Sequence, residues 1–199
     1  MKNIVVPVDF SDASYNAANY AAMLSNIFNS NIILVHAYMN PAAIDEIPSH
    51  LLNQPGKELR EVKEDQVNEY VEILRKKYTT RIEGIVREGA ATPEILDVSN
   101  NKNASLIVIG MKGKGKSNSV FGSNTTLVMR RSSVPVLVIP EKVEFKNVEV
   151  ITLASDFDVE TELSNYSLLK KIALKNNAFI QILNVRKGEE QLSPDEMSG

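Results

Sequence analysis

Leu106-Ile107-Val108-Ile109-Gly110-Met111-Lys112-Gly113-Lys114-Gly115-Lys116-Ser117 is the stretch on which the reading of this sequence turns. Four consecutive β-favouring apolar residues have the form of a buried strand, and they run straight into glycines alternating with lysines. Glycine admits positive φ and lets a ligand approach the backbone closely, so successive amides in such a loop can converge on phosphate oxygens. Further on, Gly122 and Ser123-Asn124-Thr125 stand where a helix of Ser123 to Arg131 is expected to begin. Unpaired amides and the helix dipole favour an anion there. The order strand, basic glycine loop, helix predicts a phosphate-binding turn in an α/β domain. The plainer alternative is a flexible, solvated basic turn.

Working outward, short apolar runs alternate with longer segments of helical periodicity, which predicts a doubly wound open sheet of five parallel strands. Ile4 to Val8 is the first strand, closed by Asp9-Phe10, with Ser11 or Asp12 placed to cap a helix. That helix, Ala13 to Phe28, repeats Ala17, Ala18, Ala21, Ala22, Leu24 and Ile27 on one face. Ile32 to Val35 reads as a second strand and Asn40 to Pro55 as an excursion. Glu58 to Lys77 reads as a surface helix with one buried stripe. Arg81 to Val86 is the expected third strand, Thr92 to Val98 a capped helix, and Val134 to Ile139 the closing strand at a sheet edge.

The pattern then restarts. After a polar linker at 142–147, Val150 to Phe157 repeats the apolar run and Asp-Phe pair of Val5 to Phe10. A helical stretch over Leu163 to Leu174 follows, and Ile180 to Val185 parallels Ile32 to Ala37. The expected organisation is a domain at 1–141, a partial second copy at 148–187 and a polar tail at 188–199. A strand-helix-strand unit recurring by chance in an α/β protein is the competing explanation.

Composition narrows the function classes. The 199 residues carry a formal net charge of -3, with 43% hydrophobic and 24% charged residues, ordinary for a globular chain. That balance gives no global attraction to nucleic acid or to an anionic membrane surface, so an anion site has to be local. No apolar run reaches the roughly 20 residues of a membrane span, and the strand-like start carries no basic leader. With no cysteine, disulfides and thiol chemistry are excluded. A cytoplasmic home is the expectation. Two separate histidines make no histidine-rich metal site: His36 is expected to pack or hydrogen-bond at a strand end, and His50 to lie in a solvated loop.

Gly110, Gly115, Lys116 and Ser117 also satisfy the spacing of a Walker A loop. A P-loop requires its helix to start at the lysine and hydroxyl, whereas Asn118, Ser119 and Gly122 are weak helix formers. The match also falls late in the fold, after three earlier strands. No serine-histidine-acid or paired-carboxylate constellation is present. The sequence offers a binding site without evident catalytic machinery.

The chain resembles the universal stress protein family over residues 1 to about 140, and in part over 147 to 187. The resemblance rests on Ile4-Val5-Val6-Pro7-Val8-Asp9-Phe10-Ser11, Leu34-Val35-His36-Ala37, Val86-Arg87-Glu88-Gly89, Leu106 through Ser123, and Ser133 through Pro140. Family members that bind ATP carry a glycine, two residues, a second glycine, nine residues, then glycine with serine or threonine. Gly110, Gly113 and Gly122-Ser123 match that pattern except that the second gap is one residue short, and Gly115 is an additional glycine. The resemblance implies an adenine nucleotide (ATP, or AMP or ADP) with Mg shared by the phosphates. Asp9, following Pro7 and Val8, would lie near base and ribose, and Ala37 would line the adenine pocket. Gly110, Met111, Lys112, Gly113 and Gly115 would approach ribose and phosphates, with Gly122, Ser123, Asn124 and Thr125 at the phosphate end. Open α/β sheets bind ligands beyond the carboxyl ends of strands at a topological switch, where Asp9 and Gly110 both fall.

The leading expectation is thus an ATP-binding regulatory or stress-response module with little or no hydrolysis, pairing as a homodimer through the Val134–Ile139 edge strand. A non-nucleotide-binding interaction protein of the same fold is the alternative, and a P-loop NTPase the third.

Overall fold

A computed structural model describes residues 2–40, 55–112, 122–154 and 166–184. The chain divides into two compact units, Met1–Phe145 and Lys146–Gly199. In the first, β1 (Asn3–Pro7), α1 (Asp12–Phe28), β2 (Asn31–Tyr38), α2 (Pro55–Lys77), β3 (Ile82–Glu88), α3 (Ala91–Asn101), β4 (Leu106–Met111), α4 (Ser123–Arg131) and β5 (Val136–Pro140) follow in order. All five strands are parallel and stand in the order β3-β2-β1-β4-β5. The chain winds outward from β1 to β3, then crosses back to place β4 on the other side of β1. That reversal opens a crevice at the carboxyl ends of β1 and β4.

Side chains alternate across the sheet. Val5, Ile33, Val35, Ile107 and Ile109 form one core with Ile95 and Val98 of α3 and Val128 of α4. Ile4, Val6, Ile32, Leu34, Leu106 and Val108, also buried, occupy the alternate positions. α1 packs on β1, β4 and β5, and α2 on β2 and β3. The alanines of α1 that sequence periodicity selects are buried, Ala17, Ala18, Ala21 and Ala22 completely. Their small side chains let α1 sit low on the sheet. Gly110 completes that fit: a Cβ there would strike the backbone carbonyl of Ala13.

The five strands and four helices of the first unit stand as the sequence predicts, with boundary differences that have local causes. β5 begins at Val136 because Ser132 Oγ accepts from the Val134 amide at 3.0 Å and donates to the Val134 carbonyl at 2.6 Å, closing a turn. β3 continues to Glu88 because its whole length pairs with β2. An edge strand tolerates the charges of Arg87 and Glu88 that disguise it in the sequence. α3 starts at Ala91, and its N-cap Ala90 provides no side-chain bond. Thr92, expected at a capped start, is instead turned inward and buried. The two sheet edges differ: β3 carries Glu83, Arg87 and Glu88, whereas β5 is Val136-Leu137-Val138-Ile139-Pro140.

The second unit, among its described residues, consists of β6 (Val150–Ala154), α5 (Ser167–Asn176) and β7 (Phe179–Leu183). β6 and β7 pair in parallel, Val150 opposite Phe179, as Asn3 of β1 stands opposite Asn31 of β2. Every residue of β7 is exposed. His50, Asp156 and the 188–199 tail lie outside the described residues.

Candidate functional site

The crevice between β1 and β4 is a cavity of about 290 Å³. Pro7, Val8 and Asp9 line it from the end of β1, Val35 and Ala37 from β2, and Ile109, Gly110 and Lys112 from β4. Ser11, Ala13 and Ser14 enter from the start of α1, Ala91 and Ile95 from α3, and Gly122, Ser123, Asn124 and Thr125 from α4. The cavity thus brings together ten residues named from sequence: Pro7, Val8, Asp9, Ala37, Gly110, Lys112, Gly122, Ser123, Asn124 and Thr125. Met111 does not line it; it pairs with Pro140, and its carbonyl accepts from the Glu141 amide at 2.9 Å. Gly113 and Gly115 lie outside the described residues, as do Lys116 and Ser117 of the Walker-like spacing.

Sequence reasoning missed Ala13, Ser14, Val35, Ile109, Ala91 and Ile95 as cavity residues. Val35 and Ile109 could have been found by counting the strand alternation back from the cavity-facing ends of β2 and β4. The positions of Ala91 and Ile95 depend on how α3 packs, and no local signal carries that. Ser11 was visible, but as a helix cap. It does cap α1, accepting from the Ser14 amide at 3.3 Å.

Asp9 sits two residues before that cap. Its carboxylate accepts from the Ser11 hydroxyl at 2.5 Å and from the Ser11 amide at 3.0 Å. Burial alone pushes its pKa up; the bonds from Ser11, the contact with Ser14 and the charge of Lys112 outweigh that and hold the carboxyl below its ordinary value. Asp9 is therefore an ionised acceptor at neutral pH, fixed at the cavity wall.

The same cavity also meets the starts of two further helices. α4 begins after Gly122, which forms no side-chain cap bond, and α3 begins after Ala90, which likewise forms none. Two helix starts without side-chain caps therefore reach one cavity. Thr125 Oγ1 lies 3.4 Å from the Gly110 carbonyl, linking the first turn of α4 to the end of β4. Among the described residues no cluster of three His, Asp or Glu is arranged to hold a metal ion.

An open parallel sheet whose crossover crevice is lined by the Asp9 carboxylate and by the starts of α3 and α4 defines a doubly wound α/β domain. The chain belongs to the universal stress protein family: residues 1–140 match the model of that family. It is 29% identical over 147 residues to a universal stress protein of Methanocaldococcus jannaschii, covering 69% of this chain and 81% of that one. With a universal stress protein of Synechocystis it shares 32% identity over 144 residues, 70% of this chain and 85% of the relative. Solved structures agree in fold. A universal stress protein of Archaeoglobus fulgidus superposes with a TM-score of 0.67 at 20% identity, over 93% of this chain and 67% of its own. Another structure, of a universal stress protein in complex with cAMP, has a TM-score of 0.51 at 23% identity, over 69% of this chain and 96% of its own. An Archaeoglobus fulgidus universal stress protein in complex with dAMP has the same TM-score at 20% identity, over 69% and 97%. Among the described residues no helix is long and apolar enough to cross a membrane.

Proposed function

We propose that the chain is an adenine-nucleotide-binding regulatory or stress-response module, with ATP as first ligand and AMP or ADP as lesser alternatives. The carrying observation is the pairing, across one cavity, of the ionised Asp9 with the uncapped start of α4. Asp9 is an acceptor suited to hydroxyls of a ribose. The first-turn amides of α4 and the Lys112 ammonium suit phosphate oxygens. Val35, Ala37 and Ile95 offer an apolar surface for a base. The cAMP and dAMP found with proteins of this fold are adenine nucleotides, which favours the same ligand class here. A Mg²⁺ ion would travel with the phosphates, and nothing in the described cavity activates water, so turnover would be slow or absent.

The shortened spacing from Gly113 to Gly122 favours a second reading, an interaction protein of this fold that binds no nucleotide. Mass spectrometry of small molecules released from denatured, freshly purified protein separates the two, supported by titration calorimetry with ATP and Mg²⁺. The expected result is recovered ATP or ADP, with affinity reduced at least about tenfold in Asp9→Ala. Empty protein and no heat of binding would move the conclusion to the second reading.

We read the second unit as a partial copy of the first, supported by their shared strand-helix-strand order and parallel register. The cytoplasmic home and the homodimer through the edge containing β5 belong to the same reading. Light scattering at tens of micromolar tests the dimer, and a monomer there would overturn it.

A further inference from the structure

His36 lies on β2 between Val35 and Ala37, the two β2 residues that line the cavity, and so projects to the other side of the sheet. It is 7% exposed. Its Nδ1 is 2.8 Å from the carbonyl oxygen of Val8. A carbonyl only accepts, so Nδ1 carries the proton and Nε2 the lone pair. Nε2 is buried and has no hydrogen-bond partner among the described residues. The imidazole also meets the ring of Phe10, centroid to centroid 4.6 Å. Phe10 has φ 62°, a left-handed conformation unfavourable for an aromatic residue, and needs support from its surroundings to hold it. One imidazole therefore grips the residue before Asp9 through its carbonyl and the residue after Asp9 through its ring.

We infer that His36 is the positioning residue of the Asp9 carboxylate, holding the Val8–Phe10 turn from behind so that Asp9 faces the cavity. Its effect on ligand affinity rests on the nucleotide reading; its effect on Asp9 does not. The groups facing it are Lys63 of α2, whose Nζ lies 5.9 Å from the Phe10 ring centroid, and Asp9 itself. Burial pushes the His36 pKa below its ordinary value and Lys63 adds to that, while the Val8 bond and Asp9 oppose it. The turn is therefore held by a neutral ring. That support is complete above the ordinary histidine value and is lost as pH falls through the depressed one. Protonation would place a second N–H where no acceptor stands among the described residues.

The test uses His36→Leu and His36→Asn. An asparagine amide can donate from about the place of Nδ1 but does not titrate. Two readouts are taken on the full chain: the Asp9 carboxyl titration by NMR, and ADP affinity by calorimetry between pH 5 and 8. In His36→Leu the Asp9 midpoint should rise toward the ordinary carboxyl value and ADP should bind about tenfold more weakly. His36→Asn should keep the Asp9 midpoint, stay within about threefold of the parent at pH 7.5 and lose the parent's fall in affinity on the acid side of the ordinary histidine value. An unmoved Asp9 midpoint in folded His36→Leu overturns the inference. So does an unchanged pH profile in His36→Asn, which carries the test if the leucine variant does not fold. Should the parent bind no ADP while the Asp9 midpoint still moves in His36→Leu, the nucleotide reading fails and the positioning role stands.

Discussion

The two units contain the same local structure in very different surroundings. β1-α1-β2 and β6-α5-β7 are both parallel strand-helix-strand segments with matching register. That register sets Leu34 opposite Val6 and Ile182 opposite Leu153, which makes Leu34 and Ile182 counterparts. Leu34 is 0% exposed and Ile182 is 57% exposed. A parallel sheet needs cover on both faces and neighbours on both edges. β1 has them, because β4 pairs with its second edge and α3 and α4 close the other face. Among the described residues of the second unit nothing corresponds to β4, α3 or α4. The segment dictates its own geometry but not its own burial.

Hydrogen exchange should break or sharpen this contrast most strongly. Amides of β1 and β2 should exchange at least about 10³-fold more slowly than those of β6 and β7, approaching global opening in the first unit alone. Equal protection would mean that the second unit is as well supported as the first. A pair of truncations gives the next largest effect. Leu34→Ala should destabilise the main urea transition by about 3 kcal/mol, and Ile182→Ala should change it by less than about 0.5 kcal/mol. Ser11→Ala should cost about 1 kcal/mol in the same measurement, the ordinary value of a lost N-cap. Because Asp9 is held below its ordinary pKa, its stabilisation is present above that value and lost as pH falls through the lowered one. Ser11→Ala should shrink that acid-dependent component, visible as a flatter stability profile below about pH 4.

What the sequence disclosed follows the same division. α4 is read to the residue, Ser123–Arg131, because Gly122 and the polar residues after it mark a helix start by local chemistry. The closing strand is misjudged at its start because Val134 looks apolar enough to pair, while the Ser132 hydroxyl folds it into a turn. In the cavity, Asp9 and Gly110 were legible as residues ending strands. Ala91 and Ile95 were not, since their place depends on α3 packing against a sheet assembled from distant segments. His36 could be foreseen as a packed or bonded residue. Its hold on both neighbours of Asp9 emerges only when β1 and β2 stand side by side.

The unlike edges of the first sheet determine how far assembly could proceed. β3 turns outward a strand whose charges are engaged nearby, Lys102 with Glu83 at 2.6 Å and Arg87 with Asp97 at 3.8 Å, and such an edge discourages a neighbouring strand. β5 has no charge at all. Should two copies pair through β5, the joined sheet would present only the charged β3 edges at its two ends, and growth through this sheet would terminate at a pair.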